Sequence, residues 1–249
     1  YARHGGDRAH TAGLTVDDAL RARLDALDEV SRRALELLAL AGRPSAVRVL
    51  ERALDESPRG MSEILDTLLS RKVARLRPSG ELVCYHDRIR KVAVQAIEED
   101  SMSNLARKLV RALDAEQEGE AADRARLWEL AGESKAAIEA YAQAGGEALE
   151  QLAFARAEQV FARAVSLAGD SREPFAEELR VSLGHALARG GRSEEAARLY
   201  VDVASRAEGE ARVRLRVLSA QHLIQSAQVA EGVAGARALL KDCLLYTSD

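Results

Sequence analysis

The sequence predicts a mainly α-helical protein in two parts: a small helical module carrying one β-hairpin, then an irregular array of paired helices. Three observations carry this expectation. Apolar residues recur at three- and four-residue spacing from about position 15 almost to the end. That spacing breaks once, between Val73 and His86, into short alternating runs around Pro78, Ser79 and Gly80. Beyond Asp100 one arrangement of small and aromatic residues returns several times in the same order.

Residues 1–13, rich in Gly, His and Arg, read as a linker. The first helix follows, with Thr15 as its cap, Asp17 and Asp18 at its positive end, and Leu20, Leu24 and Leu27 as its stripe. Val30, Ala34, Leu37, Leu38 and Ala41 mark a second helix that Gly42 stops. Pro44 is expected to start a third, with Val47, Leu50 and Leu54 on one face. Ile64, Leu65, Leu68 and Leu69 make a fourth after Ser57 and Pro58. The runs Val73–Arg77 and Glu81–His86 form the hairpin, and Ile89, Val92, Ala93, Ala96 and Ile97 close the module as a helix. Helices, a hairpin and a closing helix in this order describe a winged-helix-like module over 14–100.

The array is expected over 101–242. Leu183, Gly184, Leu187, Gly191, Ala196 and Tyr200 match the tetratricopeptide spacing, in which small residues let paired helices approach and large ones fill the gap between repeats. The register recurs as Trp128, Gly132, Ala137, Tyr141 and Ala144, again as Ala157, Phe161 and Ala164, and weakly as Ala220, Leu223, Ala227 and Gly232. The aromatic positions 141, 161 and 200 are 20 and 39 apart, which predicts one shortened hairpin and one loop insertion near Gly169 to Pro174. Gly145-Gly146 and Gly190-Gly191 read as turns between helices. The last helix is expected to end near Lys241, and residues 243–249 resemble translated adaptor sequence, a non-native tail given no structural weight.

Composition narrows the function. Hydrophobic residues make up 47% and charged residues 31%, with only 4% aromatic, the balance of packed amphipathic helices. A net charge of −4 gives no field that gathers nucleic acid or anionic membrane. Cys84 and Cys243 alone suggest a reducing compartment, and cytoplasm is the default. The longest apolar run, Ala34 to Ala41, is far too short to span a bilayer. No phosphate loop, dinucleotide turn, nucleophile elbow, zinc helix or kinase catalytic loop is present, so neither a catalytic residue nor a metal ligand is assigned.

Two groups of residues stand out. At Cys84 to Arg90 the hairpin passes into the closing helix; the plain reading makes Asp87 the helix cap, packs Tyr85 on the apolar side and leaves Arg88 and Arg90 solvated. In the best-defined repeat, Glu178, Val181, His185 and Arg189 share the face that would line a partner-binding groove. Arg71, Lys72, Arg75 and Arg77 form a modest basic patch. The helix that would enter a DNA groove carries Glu63 and Asp66 instead, which weighs against nucleic acid.

The segments Gly13 to Asp18, Leu24 to Leu27, Ala39 to Pro44 and Tyr85 to Arg90 resemble the winged-helix region of bacterial signal-transduction ATPases with numerous domains. The likeness is narrower to those in which a serine/threonine protein kinase precedes an AAA-like ATPase and tetratricopeptide repeats. Trp128 to Glu133, Leu152 to Ala157 and Gln221 to Ser226 fit the repeat region of that group. The resemblance implies a non-catalytic, cytoplasmic fragment that binds no cofactor alone, in a parent using ATP or ADP with Mg. It also implies two partners: an upstream nucleotide-binding domain of the same chain, and an unidentified protein or small molecule on the repeats. In that family a His at the position of His86 approaches the β-phosphate of bound ADP, with Asp87 orienting the turn. A DNA-binding module of a transcriptional regulator and a plain repeat scaffold are the alternatives.

Overall fold

The computed structural model describes residues 15–226 and 228–246. The expected linker over 1–13, Ala227 and the last three residues of the expected tail lie outside that range. The chain divides into two compact units, one ending at Glu118 and the other starting at Gly119.

The first unit opens with α1, Val16–Asp25, whose start Thr15 caps in a reciprocal box with Asp18. Helix α2, Glu29–Ala41, begins on the Asp28 carboxylate and ends at Gly42, φ 70°. The chain then forms β1, Ser45–Ala46, before α3, Val47–Leu54. The expected helix start at Pro44 is therefore corrected. Two residues of strand leave no periodicity to read, and the pairing partner lies almost forty residues on, at Leu82 and Glu81. The face that α3 buries is Val49, Leu50 and Ala53, shifted from the expected one.

Helix α4, Pro58–Ser70, is capped by Ser57 and carries Pro58 in its first turn. The hairpin pairs β2, Ala74–Leu76, with β3, Glu81–Cys84, through a turn in which the Gly80 N–H donates to Arg77 O at 2.9 Å. The antiparallel sheet runs in the order β1-β3-β2, one strand more than the hairpin alone. Helix α5, Asp87–Ala96, packs on α2 and α1. Ala96, expected on its buried face, is exposed. Leu35, Leu37, Leu38, Val49, Leu50, Met61, Leu68, Val73 and Leu82 form the core.

Helix α6, Glu99–Ala115, belongs to this unit, which thereby extends beyond the boundary expected at residue 100. Its Leu105, Leu109, Val110 and Leu113 are buried where it packs on α2 and α3. Just past its end, Glu116 accepts from Arg52 Nε at 2.6 Å and Glu118 pairs with Arg48, both on α3.

The second unit is a stack of helices: α7, Ala121–Leu130; α8, Ser134–Glu150; α9, Phe154–Ala168; α10, Pro174–Arg189; α11, Ser193–Arg206; α12, Gly209–Gln225; and α13, Val229–Tyr246. Each packs on its sequence neighbours, which makes the unit a tetratricopeptide-like repeat solenoid. Helix α13 continues beyond the end expected near Lys241 into residues 243–246 of the segment read as a non-native tail, where no Gly or Pro stops it.

Three hairpins share one geometry. Gly132, Leu152 and Gly191 all have positive φ (76°, 58° and 84°). The N–H of the following residue donates back to Trp128 O, Ala148 O or Leu187 O. Nine positions beyond each turn comes a buried aromatic: Tyr141, Phe161 and Tyr200. Sixteen positions before each aromatic is a small residue: Ala125, Gly145 and Gly184.

The uneven 20 and 39 spacing thus has a different cause from the expected shortened hairpin: α8 is the second helix of one pair and the first of the next. Gly145 and Gly146 lie inside α8 and are not a turn, whereas Gly190-Gly191 is one, as expected. The longer α9–α10 connection is tied down by Arg180, 6% exposed, which donates to Ser171 O at 3.0 Å and Gly169 O at 2.5 Å.

Candidate functional site

Strand β3 and helix α5 meet at His86. It is His86, and not Asp87, that caps α5: the backbone is extended there (φ −146°, ψ 148°) and Nδ1 accepts from the Arg88 N–H at 3.2 Å. Asp87 is the first helical residue. Its carboxylate accepts from Arg90 Nε at 2.9 Å and Lys91 Nζ at 3.0 Å, and these bonds, Lys91 first, hold its pKa below the usual range. Arg88, expected to be solvated, donates to Asp17 at 2.7 Å and ties the start of α5 to the start of α1. Tyr85 is 49% exposed and does not pack inward.

The cap fixes the chemistry of the imidazole. With Nδ1 accepting, the neutral ring carries its proton on Nε2, which has no partner among the described residues and belongs to an exposed side chain. This tautomer is assigned from the hydrogen bond. The outward atom is thus a donor in either protonation state.

Beside the junction is a groove of about 180 Å³ whose lining includes Arg43, Arg75, Arg77, Asp87 and Arg90. Arg75 lies in β2 and Arg77 one residue past its end; Arg43 arrives from the α2–β1 connection and Arg90 from α5. Arginine predominates among the charged residues of this lining, a composition suited to phosphate oxygens. The basic patch expected at 71–77 is split: Arg75 and Arg77 line this groove, Arg71 and Lys72 do not. Arg43 and Arg90 are distant in sequence from the hairpin and join the site only through the sheet and α5. Cys84 lines its base, and burial pushes its thiol up to about 11. The exposed side of α4 carries Ser62, Glu63 and Asp66, an acidic surface toward any duplex.

In the repeat unit Glu178 and Val181 border a cleft of about 620 Å³ shared by α10, α11 and α12. Its charges are balanced: Glu177 lies 3.2 Å from both Arg180 and Arg206, and Arg206 also pairs with Asp202. His185 and Arg189 continue the same face of α10 outside the cleft lining. His185 packs at a tilt on the Tyr200 ring, with centroids 5.8 Å apart. Burial, then Arg189, Arg214 and His222, lowers its pKa. Tyr200 and His222, part of the same cluster, gave no separate signal of binding in the sequence, since an aromatic at position 200 is already explained by repeat packing.

Comparison with protein-family models and with curated proteins finds no match. Among solved structures, one similar chain is a signal-transduction ATPase with numerous domains, with a tetratricopeptide repeat sensor, from Pyrococcus horikoshii. The identity is 11%, the TM-score 0.40, and the match covers 95% of this chain and 48% of that one. This chain therefore spans about half the length of the archaeal protein. Another is a Podosopora anserina chain described as a kinesin light chain with nearly identical TPR-like repeats, at 14% identity and TM-score 0.37, covering 91% of this chain and 97% of that one. The assignment of the repeats rests on this chain's own packing and turn geometry.

Among the described residues no helix is long and apolar enough to cross a membrane, and no three His, Cys, Asp or Glu side chains gather as a metal site.

Proposed function

We propose that this chain is a non-catalytic regulatory and protein-interaction segment of a multidomain ATP-dependent signalling protein. In this reading the winged-helix-like unit senses a nucleotide held by another domain, and the repeats hold a partner. The observation that carries it is the Nε2–H of the exposed His86, fixed by its cap, on a residue that lies in sequence between Cys84 and Asp87, both of which line the groove with Arg43, Arg75, Arg77 and Arg90. An imidazole donor on a residue next to an arginine-lined groove suits the terminal phosphate of a nucleoside diphosphate. Asp87 is committed to Arg90 and Lys91, so the groove offers phosphate oxygens a site but Mg no unpaired carboxylate. The metal belongs with the domain that supplies the nucleotide. A serine/threonine kinase and an AAA-like ATPase in the parent, with ATP or ADP as cofactor and a cytoplasmic site of action, are parts of the same proposal.

The test is a titration of this chain with ADP, pyrophosphate and a short DNA duplex, read by NMR at the His86 ring and the Arg90 side chain. ADP and pyrophosphate are expected to shift both signals, weakly and less at high salt. His86→Asn, which keeps an acceptor for the cap, is expected to lose affinity without losing fold. Arg75→Gln with Arg77→Gln is expected to do the same. Absence of any ADP or pyrophosphate shift at His86 sinks the proposal. A response to duplex alone would move the module to the DNA-binding alternative.

A further inference from the structure

We propose that the end of the repeat surface formed by His185, Arg189, Arg214 and His222 binds a carboxylate of an acidic peptide partner. The inference rests on the reading of the repeats as partner-binding and adds the chemistry of what they take.

Helix α10 supplies His185 and Arg189, four residues apart and so on one face; α12 supplies Arg214 and His222, eight apart and again on one face. Tyr200 of α11 lies between them, its ring centroid 5.8 Å from each imidazole, tilted at 57° to His185 and stacked at 27° on His222. One buried ring thus seats both histidines. His222 Nδ1 lies 3.0 Å from Gln225 Oε1 and donates to it, which leaves Nε2 as the other ring nitrogen.

The two arginines of this cluster lack a counter-charge among the described residues. Elsewhere in the unit Arg156, Arg163, Arg192, Arg198 and Arg206 each pair with a carboxylate. Arg189 and Arg214 have no ion pair among the described residues. Every charged group acting on His185 is cationic or can become so. The neighbouring cleft at Glu178 is balanced by its own acids and has no such demand. Two permanent charges flanked by two imidazoles match one or two carboxylates and fall short of a run of phosphates.

The experiment measures fluorescence anisotropy of a labelled oligo-glutamate peptide, with its oligo-glutamine counterpart and inorganic phosphate as competitors. The glutamate peptide is expected to bind and the glutamine peptide not to. Arg189→Gln with Arg214→Gln, both exposed positions, is expected to weaken binding at least about tenfold with the fold unchanged by circular dichroism. His185→Gln gives a second, milder loss. Binding that survives the double arginine variant overturns the site while leaving the repeats as a partner surface. Displacement of the peptide by an equal concentration of phosphate overturns the choice of carboxylate. Failure of both peptides to bind overturns the inference, while the ADP titration of the other unit judges the nucleotide reading separately.

Discussion

Phe161 occupies the space that a side chain on Gly145 would need: a Cβ built there comes within 2.4 Å of the Phe161 ring. Gly184 and Tyr200 repeat the arrangement one hairpin on, with the ring 2.5 Å from such an atom. Gly146, next to Gly145 in the same helix, has nothing within 4 Å of its own. Gly145→Ala and Gly184→Ala are therefore expected to destabilise the repeat unit by about 1–3 kcal/mol each through overpacking. Gly146→Ala is expected to stabilise it by about 0.5–1 kcal/mol by removing backbone freedom. Urea unfolding of the three variants decides; equal effects at 145 and 146 would refute the packing argument.

Leu152 holds the left-handed turn position that Gly132 and Gly191 fill in the other two hairpins, and its side chain is 69% exposed. A branched side chain is strained there and packs on little. Leu152→Gly is expected to raise stability by about 1 kcal/mol, against the usual direction of a glycine substitution. A lower melting temperature would show that the turn is not strained.

His86 has a structural task apart from any ligand. Loss of its cap in His86→Ala is expected to cost about 0.5–1 kcal/mol, whereas His86→Asn, with an acceptor at similar reach, stays near wild type. Thermal unfolding of both separates the cap from the donor at Nε2. If both variants lose equal stability, the cap is not the cause.

Two buried tyrosines respond to alkali. Tyr141 is pushed up to about 12 by burial and by its hydrogen bond to Glu129, and Tyr200 to about 12 by burial. Since the folded state keeps these protons above the ordinary value near 10.0, their contribution is complete below that pH and is lost as pH rises toward 12. Stability is expected to fall across that window, and less so in Tyr200→Phe. At neutral pH the two residues differ. The Tyr141 hydroxyl donates to Glu129 at 2.9 Å, so Tyr141→Phe is expected to cost about 1–2 kcal/mol. The Tyr200 hydroxyl is buried without a partner among the described residues, so Tyr200→Phe is expected to be neutral or stabilising by about 1 kcal/mol.

The Cys84 thiol, raised from 9.0 to about 11 by burial first of all, is expected to react slowly with a thiol reagent at pH 8. With Cys243 replaced by Ser, the rate should rise toward that of a free thiol only on unfolding. Fast labelling of the folded protein would contradict the burial at β3.

The helix stripes of the first unit were readable because apolar residues at three- and four-residue spacing must all face one core. The hairpin was readable because Pro78 and Gly80 demand a turn. So was the repeat register, since a small residue and an aromatic at fixed separation satisfy one packing rule wherever they recur. Other features depend on partners far along the chain. Strand β1 exists only through Leu82 and Glu81, and α6 joins the first unit only because α2 and α3 present apolar faces to it.

The choice of His86 over Asp87 as cap was settled by side-chain reach, because the Arg90 and Lys91 cations claim the aspartate. The same holds for both candidate sites: the family resemblance pointed to His86 and Asp87, and the shared helix face to Glu178, Val181, His185 and Arg189. Only packing brought Arg43 and Arg90 to one groove and set Tyr200 between His185 and His222. Local periodicity fixes which face a residue shares; which charges meet across elements is decided by how those faces close on one another.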